Sequence, residues 1–178
     1  MLLVVAATER ELVSVEAART LVCGIGPVEA AAATARALAE ERPSAVLHVG
    51  IAGAHGLEPL TLVLGSDAVY CDAAGSLVPA RALPDPDLLA RLRAAFPDAE
   101  VCPIGTSARV GGSHGVAVEA MEGFAVLRAC ELAGVPAVEV RVVSNAIDEP
   151  DRALWRFDDA FAKLAETLPR LAAVASGA

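Results

Sequence analysis

Lysine is almost absent from this sequence: Lys163 is the only one, and arginine carries the rest of the basic charge. With 23 acidic residues against 14 basic ones the net charge is −9, so the surface field repels nucleic acid and anionic membrane instead of drawing them in. A neutral small molecule is not excluded, because it is held by local groups. Aromatics make up only 3% of the chain, too few for an aromatic-rich sandwich or barrel. Ala, Val and Leu must fill the interior, which suits a sheet flanked by Ala- and Leu-rich helices. Cysteine is sparse and unpatterned: Cys23, Cys71, Cys102 and Cys130 form no CxxC pair. His48, His55 and His114 share no metal-ligand spacing, so no metal site is expected. The cysteines read as reduced residues, three of them in apolar runs, which implies a cytoplasmic setting. No apolar run approaches the ~20 residues of a membrane helix. The run Leu2–Ala7 is too short for a signal sequence and leads directly into Glu9, Arg10 and Glu11. A soluble, unexported protein is expected.

What is there is apolar: 55% of the 178 residues are hydrophobic, enough for one compact domain over residues 1–178 with a large core. Leu2–Ala7, Leu21–Ile25, Ala45–Ile51, Glu100–Gly105 and Ala137–Val143 read as strands, the most apolar of them buried on both faces. Thr61–Cys71 reads as extended, with a bulge or turn at Gly65 and Ser66. Pro27 opens a helix over Val28–Glu40. Asp85 or Asp87 caps a second helix running to Phe96, with Leu88, Leu89 and Leu92 on its buried face. Met121–Ala133 forms a third helix, stopped by Gly134 and Pro136. Asp151 caps a final helical region to about Val174, with a break near Pro169. Ala52–Gly56, residues 73–83 and Thr106–Gly115 read as loops. Strands alternating with helices give an α/β domain with a parallel or mixed sheet.

In such sheets ligands sit beyond the carboxyl ends of strands, and the polar clusters that follow the strands are the places to search. Glu9-Arg10-Glu11 follows the first strand. A carboxylate there can activate water, or simply belong to a charged first helical turn. Gly24-Ile25-Gly26-Pro27 lacks full GxGxxG spacing and reads as a tight turn. Gly50-Ile51-Ala52-Gly53 either lets backbone approach a flat base or sugar, or makes a bend. Glu122 stands among apolar residues and needs a partner: the two vicinal hydroxyls of a ribose, or Arg141 within the protein. Glu139 and Arg141, on one face of a strand, can also pair with each other.

Asn145 ends a strand directly after Ser144, where an Asx-turn is the ordinary explanation. Its amide offers an acceptor beside donors. That pair complements a 6-oxopurine protonated at N7, whereas Asp would suit a 6-aminopurine. His48 reads as a satisfied core histidine. Ser113-His114 makes no triad, and no GxSxG elbow occurs. Trp155 and Phe157 are expected to pack the last helix instead of stacking on a base.

These fragments resemble, in order and over nearly the whole chain, the nucleoside phosphorylase and nucleosidase superfamily. Gly24–Ala31 is similar to its GIGxVxAA segment and Gly50–Gly53 to its GxAG loop. Glu119–Val126, Arg141–Asn145 and Asp151-Arg152-Ala153-Leu154-Trp155 resemble the EAMEGFAV, RxxSN and DRxLW stretches of its futalosine hydrolase branch, enzymes of menaquinone biosynthesis. The resemblance implies a three-layer α/β/α fold with a central mixed sheet. It also implies no cofactor, a purine nucleoside substrate, and assembly as a homodimer or higher homo-oligomer. By the same resemblance, Glu11 positions the attacking water, Met121 and Glu122 hold the ribose, and Asn145 meets the purine. The loop Gly50, Ile51, Ala52 and Gly53 borders the substrate. Hypoxanthine is then the expected leaving base. The competing assignments are a methylthioadenosine/S-adenosylhomocysteine nucleosidase, a purine nucleoside phosphorylase, with Arg10 and Arg109 as candidate anion contacts, and a silent nucleoside-binding protein.

Overall fold

Apolar side chains point both ways from the first strand, and this decides the layering. In β1 (Leu2–Ala6) Leu2, Val4 and Ala6 join one buried cluster while Leu3 and Val5 join another, the period-2 pattern of a strand covered on both faces. The structure is a computed structural model that describes residues 1–13, 18–73 and 75–177. The other elements are β2 (Arg19–Val22), α1 (Pro27–Glu40), β3 (Ala45–Ala54), β4 (Leu62–Tyr70), β5 (Arg81–Ala82), α2 (Pro86–Ala95), β6 (Glu100–Thr106), β7 (Val118–Ala120), α3 (Gly123–Ala133), β8 (Ala137–Ala146) and α4 (Phe157–Ser176). Short 3-10 turns occupy Glu9–Glu11 and Arg152–Leu154.

The sheet is mixed. It runs β2-β1-β3-β7-β6-β4-β5, and β8 pairs with both β3 and β4. β1, β3 and β8 are mutually parallel, so their carboxyl ends lie on one side. β8 meets β4 antiparallel, β4 and β6 run parallel, and β7 links β6 back to the end of β3. Strands β3, β8, β4, β6 and β7 thereby close into a ring. Helices α2 and α4 cover one face through Leu88, Leu92, Leu164, Leu168 and Leu171. Helices α1 and α3 cover the other through Ala30, Ala37, Val126 and Cys130. This is the expected three-layer α/β/α architecture. Among the described residues no helix is long and apolar enough to cross a membrane.

Several boundaries differ from the sequence reading. Ala52–Gly56 was expected to be loop, but β3 continues to Ala54 because β8 and β7 pair with it from opposite sides. Gly53 is small for close packing: a Cβ there would stand 3.1 Å from Asn145 Nδ2. The third helix starts at Gly123, not Met121, because Val118–Ala120 is drawn between β6 and β3 as β7. Within residues 73–83, Arg81 and Ala82 pair with β4, while Ala74 lies outside the described residues. Asp85, not Asp87, caps α2, accepting from the Leu88 amide at 2.9 Å. Asp151 caps the 3-10 turn, accepting from the Ala153 amide at 3.0 Å, and α4 starts separately. No break occurs at Pro169. The buried stripe of Leu164, Leu168, Leu171 and Ala175 runs through it, so packing outweighs the one backbone hydrogen bond that proline removes.

Candidate active site

A cleft of about 340 Å³ opens beyond the carboxyl ends of β1, β3 and β8, and Glu11, Glu122 and Asn145 all line it. Met121, Ile51, Ala52 and Gly53 border it as well. Gly50 does not. It lies beneath the floor, where a Cβ would run into the Arg141 guanidinium and stand 2.7 Å from Glu11 Oε1.

Glu11 ends the 3-10 turn after β1. Glu9 and Arg10 face solvent, while Glu11 is buried. Its Oε2 accepts from the Thr8 amide and hydroxyl, each at 2.9 Å, and Oε1 accepts from the Ile51 amide at 3.2 Å. A charged turn and an inward carboxylate are therefore not alternatives here. The turn aims Glu11 inward, and the β3 backbone fixes it.

Glu122 is the residue before α3. Its Oε1 accepts from the Gly26 amide at 3.0 Å, and Oε2 lies 3.5 Å from Arg141 Nη2. The tight turn at Gly26, with φ of 95°, thus spends its amide on the protein's own carboxylate. Both pairings considered for Arg141 occur together. Its Nε donates to Glu139 Oε1 at 2.8 Å, and Nη2 donates to His48 Nε2 at 2.6 Å. His48 is oriented from behind, because its Nδ1 lies 3.1 Å from the Val5 carbonyl. A carbonyl only accepts, so Nδ1 carries the proton and Nε2 is free to accept.

Burial, then the charge of Arg141, holds the His48 imidazole well below its usual pKa, so the ring is neutral. Burial pushes Glu139 up, against the pull of Arg141. Burial opposes the charge on Arg141 too, but Glu139, Glu122 and Glu11 together outweigh it and keep the guanidinium cationic. One buried cation thus serves several carboxylates. Among the described residues Glu139 Oε2 has no hydrogen-bond partner; it packs against Gly123, where a Cβ would collide with the carboxyl group. The Cys23 thiol is pushed up to about 12, first by burial and then by the negative charge of Glu122. A raised pKa disfavours the reactive thiolate form.

Asn145 Oδ1 accepts from the Ser144 hydroxyl at 2.7 Å, and Nδ2 donates to the Ala146 carbonyl at 2.9 Å. The carbonyl partner fixes which amide atom is nitrogen. Local turn bonding is therefore present. One lone pair on Oδ1 and one N–H on Nδ2 remain for a ligand.

The fold agrees with three comparisons. The Phosphorylase superfamily model matches residues 12–112 and 109–175. Futalosine hydrolase of Streptomyces coelicolor is 33% identical, over 86% of this chain and 78% of that protein. The chain belongs to the futalosine hydrolase family. At the level of fold alone, it is similar to the structure of a futalosine hydrolase mutant of Helicobacter pylori, with TM-score 0.85, 16% identity, and 96% and 97% of the two chains covered. It is also similar to a methylthioadenosine/S-adenosylhomocysteine nucleosidase of Colwellia psychrerythraea in complex with adenine, with TM-score 0.82, 22% identity, and 99% and 94% covered.

In this futalosine hydrolase family member the cleft has a second end that the sequence reading missed. Trp155, Phe157 and Phe161 line it together with Arg152. Trp155 and Phe157 were expected to pack the last helix, yet all three rings are half-buried and line the opening. The signal was available: three of the six aromatic residues fall within 155–161. Arg10 and Arg109 do not line the cleft. Arg10 pairs with Asp158 and lies over the Phe161 ring. Glu119, also unassigned before, accepts from the Gly111 and Ser113 amides at 2.5 and 2.8 Å and so folds their loop inward until Val110 reaches the cleft.

Proposed function

We propose that this chain hydrolyses the N-glycosidic bond of futalosine, releasing hypoxanthine, as a cytoplasmic step of menaquinone biosynthesis. Residues 1–178 act as one nucleosidase unit within a homodimer or higher homo-oligomer. The observation that carries the reading is the convergence of Glu11, Glu122 and Asn145, from three separate parts of the chain, on one cleft.

Glycosidic cleavage develops positive charge on the ribose and negative charge on the departing base. Asn145 accepts from the protonated N7 of hypoxanthine and donates to O6, easing its departure. Glu122 takes the 2′- and 3′-hydroxyls and sets negative charge near the cationic sugar, with Met121 packed on the ring. Glu11 orients the attacking water and accepts its proton. Arg141 serves as a brace, tying Glu122 to Glu139 and His48, and the backbone of Gly50–Gly53 borders the substrate.

Water is favoured over phosphate as the attacking group. Phosphorolysis needs a cation free to bind an anion beside the sugar. Among the described residues the arginines lining the cleft are Arg141 and Arg152, and Arg141 already faces Glu139 and Glu122. Asn in place of Asp at 145 disfavours methylthioadenosine, and a silent binder has no use for a water-activating carboxylate. The test is incubation with futalosine, methylthioadenosine and inosine, with and without phosphate, following the free base by chromatography. The expected result is hypoxanthine from futalosine at a rate independent of phosphate. Adenine from methylthioadenosine as the main product, or a phosphate requirement, contradicts it.

A further inference from the structure

We propose that Glu119 is a positioning residue for the base: by holding two amides of the 107–115 loop, it sets Val110 against the purine bonded to Asn145. This rests on the nucleosidase reading, which seats the base at Asn145.

Sheet register brings the two side chains together. Gly53 of β3 pairs with Glu119 of β7 on one side and with Asn145 of β8 on the other. Residues paired across adjacent strands turn to the same face. Glu119 and Asn145 therefore flank Gly53 at a separation of two strand spacings, roughly 10 Å. Gly53 puts no side chain between them, and all three line the cleft. A base bonded to Asn145 has, across Gly53, the loop that Glu119 holds as its next neighbour.

Glu119 is a costly residue to place there. It is buried, and no ion pair among the described residues includes it. Its partners are the Gly111 and Ser113 amides, one on each carboxylate oxygen. Such charge-assisted bonds offset the burial of a carboxylate. Both oxygens must accept, so a neutral amide side chain would turn an N–H toward one of the loop's own.

The shape of the loop depends on that hold. At its entry Asp72 accepts from the Ser107 hydroxyl at 2.9 Å and the Ala108 amide at 2.7 Å. At its exit the Ser113 hydroxyl has no partner among the described residues, so the polar tie on Ser113 is its amide bond to Glu119. A Cβ on Gly112 would run into the Ser107 hydroxyl, which shows the loop folded back on itself between the two carboxylates. Val110 stands in this fold and lines the cleft.

Glu119→Gln keeps the size of the side chain and removes one acceptor. The Kd of hypoxanthine, measured by calorimetry, is expected to rise roughly tenfold. KM for futalosine is expected to rise with it, while kcat falls by less than about threefold. Val110→Ala is expected to weaken hypoxanthine binding roughly fivefold. The double variant is expected to bind within about twofold of Glu119→Gln alone, because Glu119 acts on the base through Val110. A carboxylate that only fastens the fold would leave hypoxanthine binding unchanged in Glu119→Gln, or make the two effects multiply. Either result overturns the proposal. Coupled loss of hypoxanthine binding in a protein that cleaves no 6-oxopurine nucleoside leaves the role of Glu119 standing and defeats the nucleosidase reading instead.

Discussion

The two ends of the cleft are built by opposite means. At the polar end Glu11 follows β1, Glu122 precedes α3, and Arg141 and Asn145 stand within β8, and each is nearly sealed from water. Almost every polar atom there has an internal partner. At the other end Arg152, Trp155, Phe157 and Phe161 stand on a short turn and the first turns of α4, half open to solvent. Groups that must meet a developing charge are held before substrate arrives, so that no reorganisation is needed during the reaction. Groups that only border the opening can be held more loosely. Rate and the choice of base should therefore depend on the first set, and the second set should matter less to both.

The sharpest way to break that contrast is Glu11→Gln. Loss of the base is expected to lower kcat by about 10²–10⁴, with KM little altered, in steady-state hydrolysis of futalosine. A rise in KM at constant kcat would move Glu11 to the binding side. Asn145→Asp comes next. It reverses the acceptor pattern offered to the base, and the ratio of kcat/KM for futalosine over methylthioadenosine is expected to fall about 10²-fold. If the ratio holds, Asn145 does not read the base.

Smaller effects probe the scaffold under the polar end. Gly123→Ala pushes a methyl group into the Glu139 carboxyl and is expected to cost about 1–3 kcal/mol in chemical denaturation. Denaturation at wild-type stability would mean that the Glu139 carboxyl moves aside freely. The mildest test is pH. His48 is neutral in the fold, with its pKa below the ordinary 6.5, so the unfolded chain binds a proton first as the medium is acidified. The stability is intact above the ordinary imidazole value and declines below it, by up to about 1.4 kcal/mol per pH unit from this one group. His48→Gln is expected to flatten that part of the stability–pH curve. An unchanged slope would assign the acid sensitivity elsewhere.

Much of this was legible in the chain. β1 declares itself because burial on both faces demands an unbroken apolar run, β3 and β8 are mostly apolar, and Pro27 marks the start of α1. Glu11 and Asn145 could be picked out because each follows an expected strand, and Glu122 because a carboxylate among apolar residues needs a partner. β7 and the end of β3 were not legible, since three residues such as Val118–Ala120 become a strand only when distant partners accept them. The Arg141 brace was half legible. Glu139 and Arg141 share a face by simple alternation, but the neighbour that completes the set, His48, is brought alongside Glu139 by the β3–β8 register. The aromatic wall was overlooked because the same residues fit an amphipathic helix equally well, and sequence alone does not say which side a cleft will open.

The most direct measurement is a crystal structure with a 6-oxopurine nucleoside whose glycosidic bond is replaced by a carbon link, so that it binds without being cut. The expected result has Asn145 bonded to N7 and O6, Glu122 to both ribose hydroxyls, and a water between Glu11 and the anomeric carbon. A base seated on Trp155 and Phe157, with Asn145 still bonded only to Ser144 and Ala146, contradicts the assignment of the two ends.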